Sequence, residues 1–227
     1  MPAFRGHGGL ASGMRIAHFG HSCILVELHG VKVLFDPGTF AHGFEGITGL
    51  DAIAVTHQHP DHIDPNRIGE LIEHNPGARL LSDPQTAQQR SEGWEPVSAG
   101  QVLDIGELQI TGGGGRHAVI HPEIPVVDNT VFQLGTASDP AQLVHPGDSL
   151  WVPPVPVGVL AIPAVAPWMR IWDTVDYLRA VNPRTAIPIH FGIIDPAAYG
   201  VYFGRLTEMA PAGTEFRVLE AEDQGQF

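Results

Sequence analysis

The sequence predicts a mixed α and β protein in which two β-sheets stack face to face and carry helices on their outer sides. Three observations point there. Hydrophobic residues make up 43% of the chain and charged residues only 16%, the balance of a well-buried globular protein. Glycine and proline number 27 and 20 in 227 residues, so short elements joined by tight turns are expected. Apolar β-rich runs occupy both halves of the chain, and each half finishes with helical segments. No linker interrupts the sequence, so residues 14–227 are read as one domain behind a flexible lead-in, residues 1–13. That lead-in, MPAFRGHGGLASG, has no apolar stretch of the kind a signal peptide carries.

Taken in order, Met14 to Leu28 and Val31 to Phe35 are β-rich runs joined at His29-Gly30, a hairpin signal. Asp36-Pro37-Gly38 ends the second run, and a glycine-rich loop leads to a third strand, Asp51 to Val55. Asp64-Pro65 starts a helix, with Asp as cap and Pro at the first turn, that turns Ile68, Leu71 and Ile72 inward. A short strand at Arg79 to Leu81 precedes a polar helix from Pro84 to Glu92. Val102 to Ile105 and Glu107 to Thr111 form a second hairpin that runs into four glycines, Gly112 to Gly115. Val131 to Leu134 and Gln142 to His145 pair across a turn placed at Asp139-Pro140. Val157 to Ile162 is a buried strand, Ile171 to Val181 an amphipathic helix, and Thr185 to Ile189 another strand. A helix over Ala197 to Met209 and a strand over Glu215 to Glu220 close the chain.

A formal charge of −13 argues against an extended nucleic-acid footprint, since no stripe of Lys and Arg is available to displace phosphate counterions. The single cysteine, Cys23, excludes an internal disulfide and a cysteine-rich zinc site; it lies in an apolar run and reads as a small buried hydrophobe. No apolar run reaches the ~18 residues of a membrane span. A cytoplasmic protein acting on a small molecule is the simplest expectation. An apolar loop at Trp151-Val152-Pro153 offers a surface for self-association.

The chemistry concentrates in THQHPDH, residues 56–62, directly after the third strand. His57 and His59 stand two apart, so a turning backbone can aim both at one ion. Pro60 forces a turn, after which Asp61 and His62 project to a neighbouring point where a second ion fits. Imidazole and carboxylate suit Zn²⁺, Mn²⁺ or Fe without choosing among them. Four ligand-type side chains in one loop cannot fill two coordination shells. Partners are therefore expected at later strand ends, where His117, Asp148 and His190 stand: GGGRH, HPGD and PIHFG.

This ordered set, with Gly20-His21-Ser22 and Val33-Leu34-Phe35-Asp36-Pro37 near the start, resembles the metallo-β-lactamase superfamily. Together with the Pro188-Ile189-His190 ending, these pieces resemble the branch that contains ascorbate-6-phosphate lactonase-like proteins and other metal-dependent hydrolases. The matching motifs spread from about residue 14 to residue 192. The resemblance implies a four-layer αββα sandwich of the α+β class, with a dinuclear site at one edge of the sheets. By position, it implies His57, His59 and His117 for a first divalent ion, Asp61, His62 and His190 for a second, and Asp148 between them. His121 competes with His117, and His145, which opens the Asp148 turn, is read as a supporting residue. Asp36 and His21 are weighed as partners that orient ligand imidazoles, Asp36 against the alternative of ordinary turn chemistry. Arg116 and Trp168 are candidates for substrate contact, while Trp172 is expected to pack its own helix.

Two such ions, zinc before manganese or iron, would lower the pKa of a shared water and polarise a carbonyl or phosphoryl oxygen. Asp61 would orient that water or relay its proton. The function expected is hydrolysis of a small ester, lactone or phosphodiester. Aspartate at position 148, where many β-lactamases of the superfamily carry cysteine, speaks against antibiotic hydrolysis. An iron-dependent redox enzyme of the same superfamily is the first alternative; a nuclease and a metal-binding protein without turnover come behind it.

Overall fold

The computed structural model describes residues 13–90, 93–219 and 224–227. Strands β1 (Arg15–His18), β2 (Ile24–Leu28), β3 (Val31–Phe35), β4 (Ala52–Val55), β5 (Arg79–Ser82) and β6 (Trp94–Pro96) build the first sheet. Strands β7 (Val102–Ile105), β8 (Leu108–Gly114), β9 (Thr130–Thr136), β10 (Asp139–His145), β11 (Val159–Pro163), β12 (Thr185–Ile189) and β13 (Glu215–Phe216) build the second. A last strand, β14 (Gln224–Gln226), returns to the first sheet. The orders are β14-β1-β2-β3-β4-β5-β6 and β13-β12-β11-β10-β9-β8-β7.

Side-chain alternation explains the layers. Ile24, Val26 and Leu28 of β2 point into a core shared with Leu143, Ile187 and Phe132 of the other sheet, while Leu25 points outward. The outward faces are equally apolar and need cover. Helix α1 (Ile68–His74) supplies Ile68 and Leu71, and α2 (Pro84–Arg90) supplies Ala87, over the first sheet. On the second sheet, α3 (Ile171–Val181) buries Tyr177 and Leu178, and α4 (Tyr199–Met209) buries Phe203 and Leu206. The result is helix, sheet, sheet, helix: the predicted αββα sandwich. Among the described residues no helix is long and apolar enough to cross a membrane.

Strand direction decides where chemistry can gather. Strands β3, β4 and β5 run parallel, as do β10, β11 and β12. Strand β1 shares its direction with β3, because both are antiparallel to β2; β8 shares its direction with β10, because both are antiparallel to β9. The carboxyl ends of all these strands emerge at one edge of the sandwich, the place where open α/β sheets bind ligands.

Several elements differ from expectation. The run from Met14 to Leu28 is two strands, since Gly20 (φ 100°) and His21 (φ 50°) reverse the chain between them. Regular helix begins at Ile68, not at Asp64-Pro65; the Asp64 carboxylate accepts from the Asn66 N–H and from Arg67 Nε, so it caps a turn rather than the helix. Asp139-Pro140 opens β10 instead of forming a turn, and a register shift between Asp139 and Leu143 absorbs the missing proline N–H. The helix expected to begin at Ala197 starts as a 3₁₀ turn, Pro196–Ala198, that continues into α4. The closing strand is described only over Glu215–Phe216, and residue 220 lies outside the described residues, as do residues 1–12 of the lead-in and 91–92 of the polar helix. Strands β6 and β14 were not expected.

Candidate metal centre

Turns at that single edge carry every residue of two tight groups. His57, His59, His117 and Asp148 form one; His21, Asp61, His62 and His190 form the other. In each group the facing nitrogen and oxygen atoms all lie within 4.8 Å of one another. In the first, His57 Nε2 is 2.9 Å from His59 Nδ1, and His117 Nε2 is 3.2 Å from Asp148 Oδ2. In the second, Asp148 turns its other oxygen, Oδ1, to His62 Nε2 and His190 Nε2, at 3.1 Å each. Asp61 Oδ2 completes it at 3.6 Å from His190 Nε2, 3.7 Å from His62 Nε2 and 3.1 Å from His21 Nε2.

The atoms aimed inward have little else to bind. Asp148 Oδ1, His62 Nε2 and His190 Nε2 are buried with no hydrogen-bond partner, a costly arrangement for three polar atoms. A divalent cation fits what they lack, because all three can offer lone pairs to it.

The opposite ring nitrogens are already committed. His62 Nδ1 lies 2.6 Å from Asp36 Oδ2, His190 Nδ1 2.7 Å from the Val165 carbonyl, and His117 Nδ1 2.5 Å from the Ala118 carbonyl. Such outer partners fix the tautomer and aim the free nitrogen inward. Asp36 is the hub: its Oδ1 accepts the Thr56 N–H at 2.7 Å and its Oδ2 accepts the Thr56 hydroxyl at 2.8 Å. The turn that presents Asp36 passes so close to the histidine loop that a Cβ on Gly38 would lie 1.7 Å from the Asp61 carbonyl oxygen. Asn129 braces the Asp148 turn from behind, accepting the Asp148 N–H and donating to the Pro146 carbonyl. Trp168 donates its indole N–H to Asp148 Oδ2 at 2.8 Å and sets its ring against His117 and His190.

Charge follows from this packing. Burial alone would push the His190 imidazole down, but the Asp148 carboxylate outweighs it and the pKa rises to about 9. His62 rises for the same reason, with Asp148 and Asp36 overcoming burial. At His57 burial wins and the pKa falls. Burial would raise Asp61 and Asp148, yet bonds from His190 and His21 hold Asp61 far below the carboxylate range, and the charges of His62 and His190 do so for Asp148. Without a cation the cluster keeps protons on two imidazoles to balance its carboxylates; a divalent ion would displace those protons.

All seven residues expected to hold metal therefore come together, and His21 joins them. His117 is in the first group, whereas His121 lies exposed in the following loop, in neither group. His145 is buried behind the site, its Nε2 against the Ser22 carbonyl and its Nδ1 3.7 Å from Asp36 Oδ2. Arg116 points away, towards the Val126 carbonyl. Trp172 is exposed and bonds Asp176 of its own helix. Sequence reasoning missed Thr56 and Asn129, which carry no local signal beyond their nearness to the ligand turns.

Comparison with known proteins identifies the family. A family model described as the beta-lactamase superfamily domain matches residues 15–190. Protein Rv0786c of Mycobacterium tuberculosis is 56% identical over 214 residues, covering 94% of this chain and 100% of the relative. A UPF0173 metal-dependent hydrolase of Aeropyrum pernix is 27% identical over 243 residues, covering 94% of this chain and 97% of that one. The solved structure of Igni18, a metallo hydrolase from Ignicoccus hospitalis, superposes with a TM-score of 0.72 at 18% identity, covering 95% of this chain and 98% of that one. With the matched span running from β1 to the histidine that follows β12, the chain belongs to the beta-lactamase superfamily.

Proposed function

We propose that this chain is a dinuclear metal-dependent hydrolase of a small ester, lactone or phosphodiester. The observation that carries the reading is the split carboxylate of Asp148, with one oxygen in each histidine group and one of the two left without a partner. In this reading His57, His59, His117 and Asp148 Oδ2 hold one ion, and Asp61, His62, His190 and Asp148 Oδ1 hold the other. When bound, two such ions activate water for attack and polarise the carbonyl or phosphoryl oxygen under attack. The protein's own groups do the rest. Asp36, Thr56 and the Val165 and Ala118 carbonyls fix the imidazoles. Asp61, whose side chain keeps 23% of its surface open, orients the attacking water or relays its proton. Trp168 holds Asp148 in place through its indole N–H to Oδ2. Relatives named metal-dependent hydrolases support the assignment.

Elemental mass spectrometry on protein purified without added metal is the test. Two zinc or manganese ions per chain, with lactone or phosphodiester hydrolysis lost to a chelator and restored by metal, is the expected result. A single ion, or hydrolysis that survives thorough chelation, overturns the dinuclear reading. A pair of irons moves the redox chemistry of the superfamily to the front.

A further inference from the structure

By distance alone His21 belongs to the second group, where it would be one more metal ligand. We propose instead that His21 is a positioning residue: it donates a hydrogen bond to Asp61 and holds that carboxylate towards the second ion. The assignment rests on the two-ion reading above and settles what His21 contributes to it.

The Gly192 N–H points at His21 Nδ1, 3.2 Å away. A backbone N–H cannot share that space with a second proton, so Nδ1 is the acceptor and the ring carries its hydrogen on Nε2. Nε2 is the nitrogen that faces Asp61 Oδ2 at 3.1 Å. A nitrogen that bears a proton has no lone pair for an ion, so His21 acts as a donor. The backbone holds this arrangement from both sides. The His190 N–H bonds the His21 carbonyl at 2.8 Å, and both residues adopt left-handed conformations, φ 50° and 61°, that non-glycine residues seldom take. Their ring centroids lie 4.1 Å apart, with the planes tilted 48° to each other. Gly192 suits the close approach, since a Cβ there would lie 3.2 Å from both Cβ and Nδ1 of His21, and the imidazole would have to give by a few tenths of an ångström.

The test uses the full chain loaded with Co²⁺ as probe, comparing His21→Gln, His21→Ala and His190→Ala. Glutamine can accept from Gly192 and donate to Asp61 as the imidazole does. His21→Gln is expected to bind two cobalt ions per chain with the wild-type visible spectrum and near wild-type affinity. His21→Ala should keep the spectral type but bind the weaker ion about 10–100-fold less tightly, the usual effect of losing an outer partner. If His21→Gln loses one ion as His190→Ala does, or its cobalt bands change as for a lost nitrogen ligand, His21 is a ligand and the proposal fails. It fails equally if His21→Ala binds both ions like wild type. Should His21→Ala not fold, the glutamine variant still decides between donor and ligand. Wild type binding fewer than two cobalt ions would overturn the two-ion reading itself, and this assignment with it.

Discussion

Asp148 concentrates the dependence of the whole site on one side chain. Its two oxygens face different histidine groups, so Asp148→Ala is expected to empty both, while His190→Ala empties mainly the second. Elemental analysis after desalting reads this directly; full occupancy of both positions in either variant refutes the assignment. A second residue makes a prediction independent of metal. Asp83 is fully buried, and burial, aided by the charge of Asp128, raises its pKa to about 6 from 3.8. Between those two values the folded chain binds more protons than the unfolded one, so stability falls as pH rises and the loss is complete above about 6. Asp83→Asn keeps the oxygen that accepts the Gln85 and Thr86 N–H groups but carries no charge. The metal-free variant should match wild type near pH 4 and exceed it by about 1–3 kcal/mol at pH 8, read by denaturant unfolding. What the sequence reveals at this scale depends on separation along the chain. His57, His59, Asp61 and His62 are legible because one turn holds them together. His117 is legible but not separable from His121, since both follow the same glycine run. Thr56 and Asn129 are not, because their roles exist only once Asp36 and Asp148 have been folded against them.

Elements were legible where their pattern was long or their turn chemistry strong. Helix α3 and strands β3 and β12 fall on the ranges that periodicity indicates. The three-residue strands β6 and β14 show no alternation of their own and exist by pairing with β5 and β1. The break between β1 and β2 was hidden because Phe19 to Cys23 reads as continuous β sequence, while the backbone there must turn to bring His21 to the edge. The tightest constraint between elements lies at Gly38, where the turn after β3 touches the peptide joining Asp61 to His62. Gly38→Ala must push these two segments apart. Metal content should fall to one ion or fewer, with a stability loss of about 2–4 kcal/mol, in line with overpacking and backbone displacement in a filled core. Retention of both ions in a folded Gly38→Ala variant would show that the histidine loop does not depend on this contact.

Across the molecule, both groups draw on both sheets. His57, His59, Asp61 and His62 follow β4 of the first sheet, whereas His117, Asp148 and His190 follow β8, β10 and β12 of the second. Ligands that bind only the folded chain stabilise it by mass action, about 4 kcal/mol at a thousand times the dissociation constant. Stripping the metal should therefore lower the melting temperature by on the order of 10 °C, with recovery on adding ions back. An unchanged melt on chelation would mean that the edge is held without them. At the opposite end of the sandwich Gly106 sits against Val31 near the Gly30 turn, and Arg79 of β5 donates a hydrogen bond to the Asp104 carbonyl of β7 at 2.7 Å. The two ends thus differ in kind, one lined with side chains suited to ions and one closed by packing and a hydrogen bond. In the stripped protein, amide exchange should quicken first around His57, Gly115 and His190 and stay slow in β2 and β9, as a book opens at its fore-edge while the spine stays bound.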